Sequence, residues 1–184
     1  GIDDRPGRIK PGDRILVSGT MGDHGLTILA QREGLRFSTP VVSDCAPLHE
    51  IGQALEPFGE HIRCMRDPTR GGLATVLNEL AAQAGLGVCI EEEGIPVLNA
   101  VRGACEMLGM DPLYMANEGK MVIVCAPQVS QQVLEALHRI PMGRNAADIG
   151  EVISQPQGMV LIKTVLGSQR ILAALEGEHV PRIC

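Results

Sequence analysis

Aromatic side chains are nearly missing from this sequence. Its 184 residues hold no tryptophan, one tyrosine and two phenylalanines. Proteins that hold single-stranded nucleic acid stack bases on aromatic faces, so this composition speaks against that class of function. The core has to be aliphatic, built from Val, Ile, Leu, Met and Ala. Positive charge is also short, with 16 basic residues against 22 acidic ones and a formal net charge of −6. A field of that sign repels nucleic acid and acidic membranes, though a local basic pocket for phosphate remains open. No run approaches 18 consecutive apolar residues, so no membrane-spanning helix is expected. Gly1–Lys10 lacks the apolar stretch of a signal peptide, which makes the cytoplasm the default compartment. The six cysteines form no CxxC pair, and His49, His61, His138 and His179 show no HxxxH spacing. Neither a disulfide framework nor a zinc cluster is indicated, and the sequence assigns no metal ligands.

What is present fits one compact domain. The hydrophobic fraction of 45% and the charged fraction of 21% are those of ordinary globular proteins. The chain starts on Gly1 rather than methionine, and Arg5–Asp13 reads as an exposed connector. Residues 1–13 are therefore expected to link to a missing N-terminal half, residues 14–175 to form the domain, and residues 176–184 to be a flexible tail bearing a cysteine. Strands are predicted at Ile15–Val17, His61–Met65, Val88–Glu91 and within Lys120–Ala126. Ile149–Ile153 and Met159–Lys163 read as two arms of a hairpin around Pro156–Gly158. Helices are predicted at 24–33, 48–55, 73–82, 96–108, 129–138 and 168–175, the strongest being 73–82, where Leu73, Val76, Leu77 and Leu80 share one face. The expected fold class is α+β, a mixed or antiparallel sheet with helices packed on one face, plus a mobile C-terminal tail. Cys64, Cys89, Cys105 and Cys125 lie in apolar runs and are expected to be buried.

Four segments can carry chemistry. In Asp67-Pro-Thr-Arg-Gly-Gly72 two glycines stand at the mouth of a helix, where backbone N–H groups and the helix dipole attract anions. Arg70 can grip a phosphate through two hydrogen bonds, and Asp67 can hold a metal ion or a ribose hydroxyl. An equally simple reading makes Asp67 or Thr69 an ordinary helix cap. Gly19-Thr-Met-Gly-Asp-His-Gly25 is a second glycine-rich turn, without the lysine of a P-loop. Asp23 is the natural helix cap there, and His24 reads as a surface or capping histidine. Ala116-Asn-Glu-Gly-Lys120 places Glu118 just before a buried strand, where it is either a general base or part of a polar turn. Glu91-Glu-Glu93 reads as a solvated edge. Finally, Val180-Pro-Arg-Ile-Cys184 ends in a thiol. Its thiolate is a nucleophile and the tail supplies reach. Prenylation would need cysteine four residues from the end, so it is excluded. Accidental placement is the competing reading.

Taken together, Ser18–Gly25, Asp67–Leu73, Asn117–Gly119 and the terminal Pro181-Arg-Ile-Cys184 resemble the hydrogenase-maturation carbamoyl dehydratases of HypE type. These belong to the aminoimidazole-ribotide-synthetase-like superfamily. The resemblance covers essentially the whole chain and corresponds to the C-terminal half of the family. The glycine-rich motif is shared across the superfamily, and the Pro-Arg-Ile-Cys end discriminates. The resemblance implies an enzyme that uses ATP and Mg²⁺. A partner carbamoyltransferase loads Cys184 with a carbamoyl group, ATP activates the carboxamide oxygen, and loss of phosphate leaves a thiocyanate. The cyanide then passes to iron in a scaffold complex, for the [NiFe] hydrogenase centre. It further implies Glu118 as the base, contacts to ATP from Asp67, Thr69, Arg70, Gly71, Gly72 and Asn117, and a homodimer formed through the N-terminal half. Without that half the segment is expected to be inactive. Another ATP-using enzyme of the superfamily, or a non-catalytic assembly module docking through its tail, are the alternatives.

Overall fold

The computed structural model describes residues 6–35 and 41–175. Seven strands form one sheet: β1 (Arg14–Val17), β2 (Ile62–Arg66), β3 (Gly87–Glu91), β4 (Val122–Cys125), β5 (Ala147–Ile153), β6 (Val160–Lys163) and β7 (Gln169–Ile171), in the order β2-β4-β1-β5-β3-β6-β7. Every pairing is antiparallel except β3 with β6, so the sheet is mixed. Five helices accompany it: α1 (Asp23–Glu33), α2 (His49–Leu55), α3 (Gly72–Ala84), α4 (Asn99–Leu108) and α5 (Ser130–His138).

The α+β class and the mixed sheet are those expected, but the helices cover both faces. Neighbouring strand residues point to opposite sides of a sheet. On one side Ile15, Val17, Val122 and Val124 pack with Leu73, Leu77 and Leu80 of α3. On the other, Leu16 and Ile123 pack with Ile51 and Leu55 of α2 and with Val133 and Leu137 of α5. The central strands are apolar at successive positions because both of their faces are buried. α4 and α1 build a third, smaller cluster around Leu26, Val101, Cys105 and Met115.

Three further expectations change. The segments 149–153 and 159–163 are strands but not arms of one hairpin, because β3 lies between them and pairs with both. The connection 154–159 passes close over the start of β3, where Gly158 N–H donates to Leu86 O at 2.9 Å. The helix predicted over 168–175 is replaced by β7, since Gln169–Ile171 finds an open edge on β6. Only Leu172 is buried in that stretch, where a helix would need a periodic apolar face. The described part of the expected connector is packed rather than loose: Pro6–Arg8 forms a 3-10 turn, Ile9 enters the core, and Asp13 is buried beside Arg63 at 3.4 Å. The expected tail, 176–184, lies outside the described residues. Cys64, Cys89, Cys105 and Cys125 are buried as expected, while Cys45 is exposed. Burial pushes the thiols of Cys105 and Cys125 up to about 11 and about 12, which keeps both protonated and inert.

Candidate functional site

The Asp67–Gly72 loop joins β2 to α3. Gly71 and Gly72 both adopt left-handed backbone, with φ of 75° and 62°. A side chain at Gly72 would overlap the carbonyls of Leu113 and Met115, so glycine lets two main chains touch here. Gly71 occupies the N-cap position of α3, and no side chain caps the helix. The expectation that Asp67 or Thr69 serves as cap is therefore not met. Instead Asp67, Thr69, Arg70, Gly71 and Thr75 line an open cleft of about 390 Å³. Asp67 and Arg70 are exposed, and their side chains make no hydrogen bond or ion pair among the described residues. Thr75 was not anticipated. Its hydroxyl is buried on the cleft wall against Gly71 and has no hydrogen-bond partner.

Asn117 holds the neighbouring loops together. It is completely buried. Its Oδ1 accepts from Gly22 N–H at 2.8 Å, and its Nδ2 donates to Pro68 O and Met115 O, both at 3.0 Å. Its own N–H also donates to Pro68 O at 3.0 Å. Both amide protons and the amide oxygen are thus committed to the main chain. Asn117 was expected among the groups that contact a nucleotide; here it is a clamp that fixes the loops which could do so. Glu118, one residue on, is exposed. Its N–H lies 3.4 Å from Asp44 Oδ1.

The other glycine turn also departs from expectation. Gly22, with φ of 90°, takes the N-cap position of α1, and Asp23 is the first helical residue rather than the cap. The Asp23 side chain is 6% exposed and lies 3.8 Å from Lys120 Nζ. Its Oδ2 accepts from the Thr20 hydroxyl at 2.5 Å, while its Oδ1 is buried without a partner. Burial raises the Asp23 carboxyl above its ordinary value, opposed by the Thr20 hydrogen bond and by Lys120. His24 Nδ1 lies 2.8 Å from Ser43 Oγ, which makes it a loop-holding group instead of a free surface histidine. Among the described residues no cluster of three or more His, Cys, Asp or Glu could hold a metal.

Of the expected site residues, Asp67, Thr69, Arg70 and Gly71 come together at the cleft, Gly72 follows as the first residue of α3, and Asn117 is tied to the loop by its bonds to Pro68, with Glu118 next to it in sequence. Cys184 lies outside the described residues. The described chain can be followed as far as Leu175. Asn78 Nδ2 donates to Leu172 O at 2.9 Å, Tyr114 Oη donates to Ala173 O at 2.7 Å, and Leu175 lines the cleft. Glu91–Glu93 is the solvated edge expected, with Lys163 at 3.4 Å from Glu91 and Arg170 at 4.0 Å from Glu92.

Residues 10–163 match the family described as AIR synthase related protein, C-terminal domain. The carbamoyl dehydratase HypE of Bradyrhizobium diazoefficiens is 49% identical over 100% of this chain and 54% of its own length. A crystal structure of the hydrogenase maturation protein HypE in complex with ATP superposes with a TM-score of 0.92 at 45% identity, covering 98% of this chain and 55% of that one. A crystal structure of a HypE–HypF complex gives 0.89 at 43% identity, covering 92% and 55%. The chain thus spans about half the length of the relatives it matches.

Proposed function

The chain belongs to the AIR synthase related family as its C-terminal domain, and we propose that it forms the C-terminal half of an ATP-dependent carbamoyl dehydratase of hydrogenase maturation. The observation that carries this reading is the position of Leu175. It lies on the wall of the Asp67–Gly72 cleft, nine residues before Cys184. At roughly 3.3–3.6 Å per residue those nine residues span at most about 32 Å. On this reading the tail is long enough to bring Cys184 to the cleft.

The cleft suits phosphate. The positive end of α3 opens into it without a side-chain cap, and Arg70, unpaired among the described residues, stands at its rim. Mg²⁺ is commonly held by one or two carboxylates together with substrate phosphates. Asp67, exposed and unpaired among the described residues, is a carboxylate of the cleft that fits, and the ion would neutralise phosphate charge. In the proposed reaction the oxygen of an S-carbamoyl group on Cys184 receives the γ-phosphoryl group and ADP departs. The C–O bond then breaks, phosphate carries the oxygen away, and both N–H protons leave as the C≡N bond of the thiocyanate forms. Glu118 takes the first proton, and the departing phosphate carries the second. Thr69, Gly71 and Gly72 line the phosphate path, and Asn117 fixes the loops around it. A carbamoyltransferase loads the thiol, the role we assign to HypF, and an iron-scaffold complex receives the cyanide. We further propose a cytoplasmic setting and a homodimer formed through the half of the relatives that this chain does not span. On this reading the 184-residue chain alone is inactive.

Intact mass spectrometry tests the proposal in a protein that joins this chain to the remaining half of its relatives. With carbamoyltransferase, carbamoyl donor and then ATP, the Cys184 peptide should gain one carbamoyl mass and afterwards lose one water. No adduct on Cys184 in the presence of active transferase would point to another ATP-using enzyme of the superfamily. Loading without ATP-dependent loss of water would point to an assembly module.

A further inference from the structure

From Ala116 to Met121 each residue meets a group outside the turn, through its main chain or its side chain. Ala116 O accepts from Gly25 N–H at 2.9 Å, and Asn117 is the buried clamp. Glu118 N–H faces Asp44 Oδ1 at 3.4 Å. Gly119 lies so close to the Asp44 carbonyl that any side chain there would overlap it. Lys120 Nζ lies 3.8 Å from Asp23 and 4.0 Å from Asp44, and Met121 N–H donates to Ser18 Oγ at 2.9 Å. The Glu118 side chain is the exception, since it projects into solvent.

Asp44 is unusual within this arrangement. It comes from residues 41–48, most of which form neither helix nor strand, where a carboxylate has easy access to water. Yet its side chain is 3% exposed, and its Oδ2 has no hydrogen-bond partner. Burying a carboxylate costs free energy even beside a lysine, so the arrangement calls for a compensating role. Resting on the reading of Glu118 as base, we propose that Asp44 is a positioning residue for Glu118. It pins the main chain at Glu118 and Gly119, with Lys120 as its counter-ion, so that only the side-chain torsions of Glu118 remain free. Misplacing a reacting group by about 1 Å can cost about 100-fold in rate, which gives such a pin its value.

The test uses the full-length protein with Cys184 already carbamoylated, and follows ATP-dependent loss of water in a single turnover by intact mass. Asp44→Ala should slow that step by about 10- to 100-fold. ATP affinity should stay within about twofold of the parent, because the Asp67–Gly72 cleft is untouched. Asp44→Asn, whose amide oxygen can still accept from Glu118 N–H, should recover most of the rate. In a Glu118→Gln background, Asp44→Ala should slow the step by less than about threefold further, as expected of two residues acting as one unit. Asp44→Ser, too short to reach Glu118 N–H, replaces Asp44→Ala with the same expectations if the alanine variant does not fold. Parental rates in Asp44→Ala overturn the proposal, as does a loss that multiplies with that of Glu118→Gln, or one that follows ATP affinity. A parental rate in Glu118→Gln sinks the base reading itself, and a slow Asp44→Ala beside it shows that Asp44 does not act through Glu118.

Discussion

Two helices of this domain start in the same way and meet different fates. α1 and α3 each follow a strand and a glycine-rich turn, each has a left-handed glycine at the N-cap, and neither has a side-chain cap. At α1 the protein answers the helix dipole itself. Asp23 sits in the first turn, and Asn117 Oδ1 accepts from Gly22 N–H. A side chain at Gly22 would press on Val101 and Pro112 at 3.1 and 3.3 Å, so the turn is filled. At α3 the first turn carries no acidic residue, and an open cleft faces it with an arginine that is unpaired among the described residues. One local device thus yields a structural joint where the protein supplies the anion and a binding site where it does not. Substitutions around α1 should register as stability, and those at the mouth of α3 as affinity.

The largest effect should come from Lys120→Met, which leaves Asp23 and Asp44 buried without a cation. Removing one partner of a buried charge cluster costs about 3–5 kcal/mol, readable by urea denaturation. Asn117→Ala should follow at about 2–4 kcal/mol, since it strands the Gly22 N–H and removes both donors to Pro68 and Met115. Because it also loosens the Asp67–Gly72 loop, ATP affinity measured by calorimetry should fall with it. Asp23→Asn should act through pH. The folded-state pKa of Asp23 is raised, so its ionisation opposes folding more strongly as pH climbs from the unfolded value. The asparagine variant should therefore gain stability relative to the parent between about pH 4 and the raised folded value, then hold that gain. The smallest effect on stability, within about 0.5 kcal/mol, belongs to Arg70→Ala, which should nevertheless weaken ATP binding by about 10-fold or more. If Arg70→Ala unfolds the protein while leaving affinity intact, the contrast between the two helix starts is wrong.

Local patterns could be read directly. The apolar stripe Leu73, Val76, Leu77 and Leu80 marks α3, and Asp67–Gly72 marks its mouth, because periodicity and glycine are properties of neighbours in sequence. The burial of four cysteines follows likewise from their apolar runs. The arrangement of the sheet was not legible in this way. That β3 separates β5 from β6 depends on pairing between residues 60 or more positions apart, which no local pattern encodes. The same reason hides the helices on the second face, and the conversion of 169–171 from an expected helix into an edge strand. At the site, Asp44 gave no signal because its segment has no period, and its contacts with Glu118, Gly119 and Lys120 span more than 70 positions. Asn117 attracted notice as a nucleotide contact, while its part as a clamp was not legible. Its partners Gly22 and Pro68 come from two distant loops, and only the fold brings them within reach.

β1 lies near the middle of the sheet, and both of its partners come late in the chain. β4 begins at Val122 and β5 at Ala147, more than 100 residues after β1 ends at Val17. Chains emerge from the ribosome at about 5–20 residues per second, so the Ile-Leu-Val core of β1 waits on the order of ten seconds for its first neighbour. During that interval an apolar strand with two open edges is exposed to other nascent chains. Synthesis of this domain thus has its hazard at the beginning and its remedy near the end. Ribosome-bound fragments that stop before β5 should be the ones that recruit chaperones.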